Sequence, residues 1–546
     1  MVWRINSVLI LLFIFGLILL SRLFFVQILQ EDFYKALAMG QSGGLYNIDE
    51  EVLNERGEIF FKNGEPLAIN MEWPLVSVCP VEIEEKETTA EELAQVLLLD
   101  KSFVLEKLSK NSLYETIKKK ISQEEIEKVK SLDLTGVYLK KEVGRYYPQE
   151  TLASQLAGFL DADQEGQYGL EEYYDEVLNG KKQKGEDLHL TIDYAIQFTA
   201  EELLDTAKQT LNIEGGQIIV MEPSTGKILA LADYPNFDSN QYSKIKDLDV
   251  FQNAATQKIF EPGSVFKPIT MASALEEGKV TPQTTYLDPG IMKFDGWPIY
   301  NYEQRIYRGE TTSEITMTEV LEKSVNTGAV WAWQQLGQRL FSEYLEKFGI
   351  FEQTEIDIRE IVPENKEFHE GEKYGREINF ATASFGQGIE MTPIQLLRAY
   401  SAIANGGKMV TPYLVENHYP GGETKQVISS KTSSQLTAML VSVVENGYAK
   451  SAQVPGYYVA GKTGTAQIAY SALNADGEGY SDKTWQSFMG FAPAFNPRFL
   501  ILVKLDNPEA KTAEYSAVPI FQDLAKYIID FYQIPTDYQE EGERRK

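Results

Sequence analysis

Cysteine and histidine are both scarce in this chain of 546 residues. Cys79 is the only cysteine, which excludes an intrachain disulfide and a cysteine-rich zinc site. The three histidines, His189, His369 and His418, stand singly and lack the spacing of metal ligands. A catalytic histidine or Cys–His cluster is therefore a poor candidate, and we expect the protein to work without a metal ion or an organic cofactor.

Positive charge is the second shortage. The chain carries 51 lysines and arginines against 80 aspartates and glutamates, which gives a formal net charge of −29 at pH 7. So acidic a chain is repelled by phosphate backbones, which excludes nucleic acid as a bulk partner. Apolar residues make up 43% and aromatic residues 12%, so a sizeable core can form and wholesale disorder is excluded. The length is enough for about three to four domains.

A long apolar run occurs only near the amino terminus. Val8–Leu20 is apolar except for Gly16, and after a short polar break the run continues to Val26. As a helix, Val8–Val26 would be about 28 Å long, close to the roughly 30 Å hydrocarbon core of a membrane. We therefore expect residues 1–26 to form a cytoplasmic stub and one transmembrane helix, with the body outside. A cleaved signal peptide is the alternative, although small residues typical of a cleavage site come only well beyond the run.

Residues 27–185 read as helical and irregular pieces rather than as one catalytic core. Capping-box patterns predict helices that begin at Thr88 and at Ser122. The polar stretch 179–185 has no apolar side chain and is the expected boundary. We predict a non-catalytic domain over residues 27–185 and a second domain over residues 186–533.

Two pairs of strands enclose a helical region in this second domain. The predicted elements are a helix from Asp193 to about Leu211, a hairpin over residues 216–231, a second hairpin formed by Trp485–Ala492 and Arg498–Leu505, and a helix from about Ser516 to Tyr532. Strands at both ends with helices between them predict an α+β domain, in which the terminal strands meet in one mostly antiparallel sheet flanked by helices. Residues 534–546 read as a charged tail.

A serine and a lysine three residues apart mark the first candidate site. Ser264-Val-Phe-Lys267 precedes Pro268 and an apolar helical stretch, so both side chains are expected on one helical face. Backbone N–H groups at a helix start stabilise an oxyanion, and a neutral lysine amine can take the serine proton if burial or a neighbouring cation lowers its pKa. The same spacing occurs at Ser224–Lys227 and Ser243–Lys246. A solvated surface pair is the ordinary interpretation of any one such quartet.

Two further short motifs follow. Ser324-Val325-Asn326 offers a hydroxyl that can relay a proton and an amide that can hold a peptide carbonyl. Lys462-Thr463-Gly464-Thr465 follows a strand-like run, so Lys462 and Gly464 are expected on one side of a strand, where glycine would let a ligand backbone come close. Alone, the two motifs are compatible with a plain helix-start serine and a plain strand-end turn.

The three motifs together are far more specific than any one of them. Their order, with Ser264, Ser324 and Lys462 in one predicted domain, is the signature of β-lactamases and penicillin-binding proteins. The chain resembles the class B, monofunctional penicillin-binding proteins, which are D,D-transpeptidases of peptidoglycan synthesis. This resemblance extends over nearly the whole length. It is carried by Arg22–Gln27, Arg56–Ile59 with Asn63-Gly64, Gly169–Glu172, Phe260–Pro268, Ser384–Gly388 and Val459–Gln467.

The resemblance implies a role for each motif residue. Ser264 would attack the penultimate D-Ala carbonyl of a stem peptide, and Lys267 would be the base. Lys462 would help to hold Lys267 neutral, and Ser324 would shuttle the proton. Backbone N–H groups of Ser264 and Thr465 would form the oxyanion hole. The implied substrate-binding residues are Asn326, Thr463, Gly464 and Thr465.

The resemblance also implies a cellular setting. Residues 27–185 would be an elongated pedestal of the dimerisation type, and residues 186–533 the transpeptidase domain. The protein would span the bacterial cell membrane once, with its catalytic domain extracytoplasmic. Expected partners are peptidoglycan stem peptides, β-lactam antibiotics and a polytopic glycosyltransferase. Glu261 resembles the division and sporulation branch of the family, because the elongation branch usually carries proline there.

Two other functions stay open at this point. A β-lactamase or β-lactam sensor shares the three motifs, although the Glu-x-x-Leu-Asn box of class A β-lactamases does not occur in residues 327–461. A catalytically idle scaffold of wall synthesis is the second, although such a protein has no need for intact motifs. A bifunctional enzyme with its own glycosyltransferase domain is disfavoured, because no histidine precedes His189.

Overall fold

A computed structural model of the chain describes residues 56–179, 184–301, 313–368, 375–418, 424–473 and 475–538, together with Gly16. The predicted transmembrane run Val8–Val26 otherwise lies outside the described residues, as do His369 and the stretch 180–183 of the predicted boundary. In the described ranges, no helix combines the length and the apolar character that a membrane crossing requires.

The secondary structure alternates between helices and strands along most of the described chain. The strands are β1 (Ile59–Phe60), β2 (Pro66–Val78), β3 (Glu115–Lys119), β4 (Val137–Tyr146), β5 (Phe159–Leu160), β6 (Gly166–Gln167), β7 (Leu188–His189), β8 (Gly215–Met221), β9 (Ile228–Tyr234), β10 (Thr285–Asp288), β11 (Ile291–Phe294), β12 (Trp297–Tyr300), β13 (Ser313–Thr316), β14 (Lys408–Met409), β15 (Lys425–Gln426), β16 (Ala460–Ala469), β17 (Tyr480–Ala492) and β18 (Phe499–Asp506). The α-helices are α1 (Lys86–Leu97), α2 (Lys101–Ser109), α3 (Gln123–Leu132), α4 (Ser154–Ala157), α5 (Gly169–Tyr173), α6 (Asp175–Leu178), α7 (Tyr194–Leu211), α8 (Ala254–Gln257), α9 (Lys267–Glu276), α10 (Met317–Glu322), α11 (Asn326–Leu336), α12 (Gln338–Lys347), α13 (Glu377–Ala383), α14 (Pro393–Ala404), α15 (Ser430–Asn446) and α16 (Ala517–Tyr532). Short 3-10 helices cover Ser239–Lys244, Leu248–Phe251, Gly263–Phe266, Lys366–Phe368, Lys450–Ala452, Tyr470–Leu473 and Ala513–Tyr515.

The chain forms two compact units, each built from separate stretches of sequence. The smaller unit contains Asn70–Arg145 and Asn179–Gly185, and the larger unit contains Gly57–Ile69, Tyr146–Leu178 and Glu186–Lys546. The predicted boundary after residue 185 divides the chain once, whereas stretches of the two units alternate along the sequence. Two stretches that the sequence places in the pedestal, Gly57–Ile69 and Tyr146–Leu178, fold within the larger unit.

The early stretches of the larger unit add to its core. Ile59 in β1 is the parallel partner of Leu188 in β7. Phe61, Tyr147 and Leu178 are buried in the same hydrophobic core as the strands of the central sheet. Apolar side chains that are far apart in sequence thus share one core, which a boundary drawn from local composition cannot detect.

The smaller unit shows one predicted helix start and corrects another. At α3, Ser122 Oγ accepts from the Glu125 N–H at 3.2 Å and the Glu125 side chain accepts from the Ser122 N–H at 2.8 Å, which confirms the capping box. The predicted helix start at Thr88 is wrong. Helix α1 begins at Lys86, and its N-cap Glu85 makes no side-chain cap hydrogen bond. The Thr89 N–H already donates to the Glu85 carbonyl at 3.0 Å, so Thr88 lies inside the first turn.

Helices and strands of the smaller unit enclose a core of their own. Strand β2 pairs antiparallel with β3, and β4 pairs with β2. The buried apolar residues of this core are Val76, Val78, Ile83, Ala90, Leu93, Ala94, Leu97, Val104, Leu108, Ile117, Ile121 and Val129.

A five-stranded sheet is the centre of the larger unit within the described ranges. Its strand order is β16-β17-β18-β8-β9, and every adjacent pair is antiparallel. The hairpins predicted from the sequence are confirmed as β8–β9 and β17–β18. Ile501 in β18 lies opposite Val220 in β8, so strands from both ends of the domain share one sheet. This is the predicted α+β arrangement.

Two groups of helices pack against this sheet. Helices α7 and α16 contact the sheet and each other. The Asp193 side chain accepts from the Ala195 N–H and caps α7, which ends at Leu211 as predicted. In the other group, every residue of α14 is buried, and this helix contacts β8, β18, α9 and α15. A helix buried on all sides is a core element, so α9 starts at Lys267 against a rigid support.

The described chain stays packed beyond the predicted domain end at residue 533. The Asp537 N–H donates to the Gly456 carbonyl at 2.9 Å, and Asp537 Oδ2 accepts from the Tyr458 N–H at 2.9 Å. The rings of Tyr458 and Tyr538 have centroids 5.0 Å apart. The first part of the predicted tail therefore packs on the segment before β16, and residues 539–546 lie outside the described residues.

Candidate active site

The first motif sits where a short helical turn runs into a buried helix. Gly263–Phe266 is a 3-10 turn that leads directly into α9, with Pro268 in the first turn of that helix, where its missing N–H is tolerated. Lys267 Nζ donates to Ser264 Oγ at 3.0 Å. The spacing of three residues therefore brings hydroxyl and amine together, as the sequence predicts.

Two glycines allow close backbone contact behind this turn. Gly263 has a φ of +61° and Gly386 a φ of +81°, a region that side-chain-bearing residues rarely adopt. The Gly263 N–H donates to the Gly386 carbonyl at 2.8 Å. A Cβ on Gly386 would lie only 2.2 Å from the Gly263 carbonyl oxygen, so any other residue there would displace the turn.

The second motif places Ser324 against the lysine of the first. Ser324 lies between α10 and α11 with a φ of +52°, an uncommon conformation for a serine. Its carbonyl oxygen accepts from Lys267 Nζ at 2.5 Å, and its hydroxyl oxygen lies 3.1 Å from the same nitrogen. Both polar groups of Ser324 thus face the amine.

The third motif completes a continuous chain of contacts. Lys462 lies on β16, and its Nζ donates to Ser324 Oγ at 3.0 Å and to the Thr463 carbonyl at 3.2 Å. The Ser324 hydroxyl is therefore held between the amines of Lys462 and Lys267. The polar atoms of Ser264, Lys267, Ser324 and Lys462 follow one another at hydrogen-bond distance.

Burial gives the two lysines unusual acid–base properties. Each is only 1% exposed. Loss of solvation lowers the pKa of Lys267 well below its ordinary value, and the nearby charge of Lys462 lowers it further. Burial also lowers the pKa of Lys462, to about 7. Lys267 can therefore exist as a neutral amine in contact with a serine hydroxyl, which is the state that a general base needs.

The remaining predicted site residues lie around this chain of contacts. Asn326 Nδ2 donates to the Tyr300 carbonyl at 2.9 Å. Thr463 Oγ1 lies 3.4 Å from Lys462 Nζ, and Thr465 Oγ1 accepts from the Ala513 N–H at 3.2 Å. Because the Thr465 oxygen accepts there, its own proton stays available to another acceptor.

The structure explains the glycine at position 464 by packing within the protein, whereas the sequence predicted close approach of a ligand backbone. Gly464 lies on the buried side of β16, as Lys462 does, so the expectation of a shared side is correct. A Cβ at Gly464 would lie 2.6 Å from Ser487 Oγ and 3.0 Å from the Pro262 carbonyl oxygen. The glycine therefore lets β16 pack closely on the segment before Ser264, and it is the protein's own backbone that approaches it.

Comparisons with known proteins agree with this geometry. Residues 216–526 match the penicillin binding protein transpeptidase domain, and residues 51–188 match the penicillin-binding protein dimerisation domain. This chain belongs to the penicillin-binding protein transpeptidases. The family and the two-domain architecture that the motif order implies are thereby confirmed.

Relatives of this penicillin-binding protein cover most of its length. Stage V sporulation protein D of Bacillus subtilis is 33% identical over 540 residues, which cover 90% of this chain and 80% of the relative. The probable peptidoglycan D,D-transpeptidase PbpC of Pseudomonas aeruginosa is 30% identical, with 95% of this chain and 93% of the relative covered. Among solved structures, penicillin binding protein 3 of Mycobacterium tuberculosis complexed with aztreonam has a TM-score of 0.67 at 25% identity, covering 88% of this chain and 97% of that chain.

Sequence reasoning missed two residues that hold the serine turn of this penicillin-binding protein. The hydroxyl of Tyr400 on α14 donates to the Val265 carbonyl, directly after Ser264. Thr270 on α9 donates to the Ser384 carbonyl at 2.8 Å. These contacts join residues 135 and 114 positions apart, so no local pattern in the sequence indicates them.

The other Ser-x-x-Lys quartets lie outside this penicillin-binding site. Ser224 is exposed in the turn between β8 and β9, and Lys227 forms an ion pair with Glu416 at 2.5 Å. Ser243 and Lys246 are both exposed. Spacing alone therefore does not distinguish the three quartets, whereas the burial of the lysine does.

Proposed function

We propose that this penicillin-binding protein is a peptidoglycan D,D-transpeptidase that cross-links stem peptides through a serine acyl-enzyme. One observation carries the proposal: the Lys267 amine, whose pKa is kept low by burial, donates to the Ser264 hydroxyl at 3.0 Å. A neutral amine at that distance can accept the hydroxyl proton as the oxygen attacks. Family membership supports the substrate class.

In the acylation step, Ser264 Oγ attacks the carbonyl carbon of the penultimate D-Ala while its proton moves to Lys267 Nζ. The oxyanion of the tetrahedral stage accepts from the backbone N–H groups of Ser264 and Thr465. The peptide C–N bond then breaks, and the departing nitrogen takes a proton through the Ser324 hydroxyl, which lies 3.1 Å from Lys267 Nζ. The terminal D-Ala leaves as a free amino acid, and an ester to Ser264 remains.

The second step forms the cross-link. An amine from a neighbouring stem peptide attacks the ester carbonyl and gives a proton to Lys267. The ester C–O bond breaks, and Ser264 Oγ recovers its proton. The products are an amide between two stem peptides and the free enzyme. Lys462 holds the relay hydroxyl from the other side throughout, at 3.0 Å from Ser324 Oγ.

Strand β16 is the element on which the stem peptide would lie. It is the last strand at one edge of the sheet, so an extended peptide can pair with it. Thr463, Gly464 and Thr465 belong to this strand, and the hydroxyls of the two threonines can donate to the terminal carboxylate of the stem. Asn326 would hold the amide of the stem from the opposite side.

Covalent labelling tests the nucleophile. A labelled penicillin should acylate the wild-type protein once, and the adduct should map to the peptide that contains Ser264. Ser264→Ala should abolish labelling. Ser224→Ala is the matched control, because it removes a serine of the same spacing that is exposed in a turn. Label on a folded Ser264→Ala protein would show that another residue is the nucleophile.

Two further experiments separate a transpeptidase from a β-lactamase and from an idle scaffold. A transpeptidase should consume about one equivalent of a chromogenic cephalosporin and then stall, because the acyl-enzyme waits for an amine acceptor. Rapid turnover of many equivalents would favour a β-lactamase. Restored growth of a depleted strain by Ser264→Ala would favour an idle scaffold.

We also propose that residues 8–26 anchor the protein as a single span in the bacterial cell membrane, with the amino terminus cytoplasmic and the catalytic domain outside. The apolar length of this run supports the proposal. The full chain should sediment with membranes and be cleaved by protease added to spheroplasts. A chain that starts at residue 27 should lose both properties, and retention of membrane association by that chain would contradict the anchor.

A role at division or in spore formation, beside a polytopic glycosyltransferase, is the finer part of the proposal. It is supported by Glu261 before the serine motif and by the likeness to a sporulation protein. A glycosyltransferase should co-purify from detergent extracts with the native chain. Replacing residues 8–26 by an unrelated membrane helix should abolish co-purification while leaving penicillin labelling unchanged.

A further inference from the structure

Helix α11 begins without a capping side chain of its own. Its N-cap is Val325, which has no side-chain acceptor, so the N–H groups of the first turn need partners from elsewhere. Asn301, which directly follows β12, supplies one. Its Oδ1 accepts from the Thr327 N–H at 3.0 Å and lies 3.0 Å from Thr327 Oγ1. The cap of this helix is therefore a tertiary contact.

The carboxylate of Asp288, at the end of β10, holds this cap in its orientation. Asn301 Nδ2 donates to both Asp288 oxygens, at 3.0 and 3.3 Å. Because a carboxylate only accepts, the amide must turn its NH₂ toward Asp288 and its oxygen toward Thr327. Thr327 Oγ1 also donates to Asp288 Oδ1 at 2.7 Å, and the Gly290 N–H donates to the same oxygen at 2.9 Å.

These three side chains are almost entirely withdrawn from solvent. Asp288 is 7% exposed, Asn301 8% and Thr327 0%. A buried carboxylate is costly unless its hydrogen bonds are made, and here Asn301, Thr327 and the Gly290 N–H make them. The contacts therefore act as one unit, and loss of one donor weakens the others.

This unit adjoins the second motif of the active site. Thr327 follows Asn326 directly and Ser324 by three residues, and the Asn326 side chain donates to the Tyr300 carbonyl, next to Asn301. Ser324 itself has a φ of +52° and contacts two buried lysines. A shift of the helix start would move its hydroxyl relative to both amines, and such shifts are expensive for catalysis.

We infer that Asp288, Asn301 and Thr327 form a positioning cluster that fixes the Ser324 hydroxyl between the two catalytic lysines. They act through the start of α11 and do not touch the substrate. The inference rests on the proposed function, because it concerns the rate of the same acylation. It predicts that damage to the cluster slows bond formation more than it weakens the first, non-covalent binding of the ligand.

Thr327→Val is the sharpest test, because it removes the hydroxyl and keeps the shape of the side chain. The wild-type protein and each variant are mixed with a fluorescent penicillin over a range of concentrations, to separate the acylation rate constant from the dissociation constant. Thr327→Val should lower the rate constant about tenfold or more, with a dissociation constant within about twofold. Thr327→Ser restores the hydroxyl and should recover most of the rate.

Thr191→Val is the matched control for general loss of stability. Thr191 is also 0% exposed, and its hydroxyl donates to the Ile228 carbonyl at 2.7 Å, away from the second motif. It should lower the melting temperature to a similar extent and leave the acylation rate constant unchanged. Should Thr327→Val not fold, Asp288→Asn replaces it, since it keeps the shape and removes one acceptor.

Each outcome decides the inference. A selective loss of rate in Thr327→Val that serine recovers supports the cluster. An unchanged rate in a folded Thr327→Val, or an equal loss in Thr191→Val, overturns it. If the wild-type protein itself is not acylated at Ser264, the proposed function fails first, and the two failures are therefore distinguishable.

Discussion

At the scale of single residues, the proposed chemistry depends on two buried lysines. Lys267 and Lys462 are each 1% exposed, and their neighbours at the site are hydroxyl and carbonyl groups. Burial disfavours the charged form of an amine, and this is the source of the reactive state. The same burial reduces the stability of the fold, so the site trades stability for activity.

Lys462→Met should stabilise the protein most at neutral pH. The ordinary pKa of this amine is 10.5, and burial lowers it to about 7 in the folded chain. Between about pH 10 and pH 7 the amine is protonated in the unfolded chain and neutral in the folded chain. The free energy of unfolding of the wild-type protein therefore decreases as the pH falls through this range. Methionine binds no proton. Urea denaturation at pH 7 should show a gain on the order of 2 kcal/mol that shrinks at pH 9.5.

The control for this prediction is an exposed lysine. Lys431→Met, on the surface of α15, should show no comparable gain at pH 7, because the side chain that it replaces is exposed to solvent. A gain for Lys462→Met that is the same at both pH values would mean that the amine is not desolvated in the folded chain. Loss of penicillin labelling in Lys462→Met is expected at either pH, because the Ser324 hydroxyl, the proposed proton relay, loses one of its two amine partners.

At the scale of elements, the serine turn is positioned by a helix from another part of the sequence. Helix α14 is buried along its whole length, and Tyr400 on it donates to the Val265 carbonyl. The turn also pairs with the segment that contains Gly386. The turn that carries Ser264, the proposed nucleophile, is therefore held by contacts within the protein that do not involve the substrate.

Tyr400→Phe should slow acylation while preserving the fold. The change removes one buried hydrogen bond, a loss of about 1 kcal/mol in the free energy of unfolding, and frees the carbonyl next to Ser264. The acylation rate constant for a fluorescent penicillin should fall about fivefold. Tyr344→Phe is the matched control. Tyr344 lies on α12, is 2% exposed, and its hydroxyl donates to the Glu277 carboxylate at 2.7 Å. Equal rates in both variants would show that the turn does not depend on α14.

At the scale of the whole molecule, the larger unit is assembled from three stretches of chain. Gly57–Ile69 and Tyr146–Leu178 belong to it together with Glu186–Lys546. Between the first two stretches, the segment Asn70–Arg145 forms the bulk of the smaller unit. Asn70 and Arg145 lie close together, with 3.4 Å between their side-chain polar atoms, so this segment enters and leaves its unit at one place.

Two truncations should therefore behave differently. Replacing residues 70–145 by a short Gly-Ser linker should leave the larger unit folded and able to bind penicillin covalently. A chain that contains only residues 186–546 lacks β1 and the core side chains Phe61, Tyr147 and Leu178, so its melting temperature should fall by about 10 °C or more. Thermal melting and penicillin labelling of both chains check this. Equal stability would mean that the early stretches do not support the core.

The sequence by itself determined what depends on near neighbours. The alignment of Ser264 with Lys267 follows from helical spacing, the Ser122 capping box from two side chains three residues apart, and the hairpins from apolar runs around turn residues. The order of the three motifs was specific enough to identify the family.

Only the tertiary structure decided what depends on packing between distant segments. The bridge of Ser324 between two lysines, the support of the serine turn by Tyr400 and the tertiary cap from Asn301 join residues tens to more than a hundred positions apart. The start of α1 before Thr88 shows the same limit on a smaller scale. Local patterns encode local hydrogen bonds, whereas burial and long-range contacts arise from the whole core. Burial distinguishes the Ser264–Lys267 quartet, whose lysine has a lowered pKa, from the two quartets at the surface.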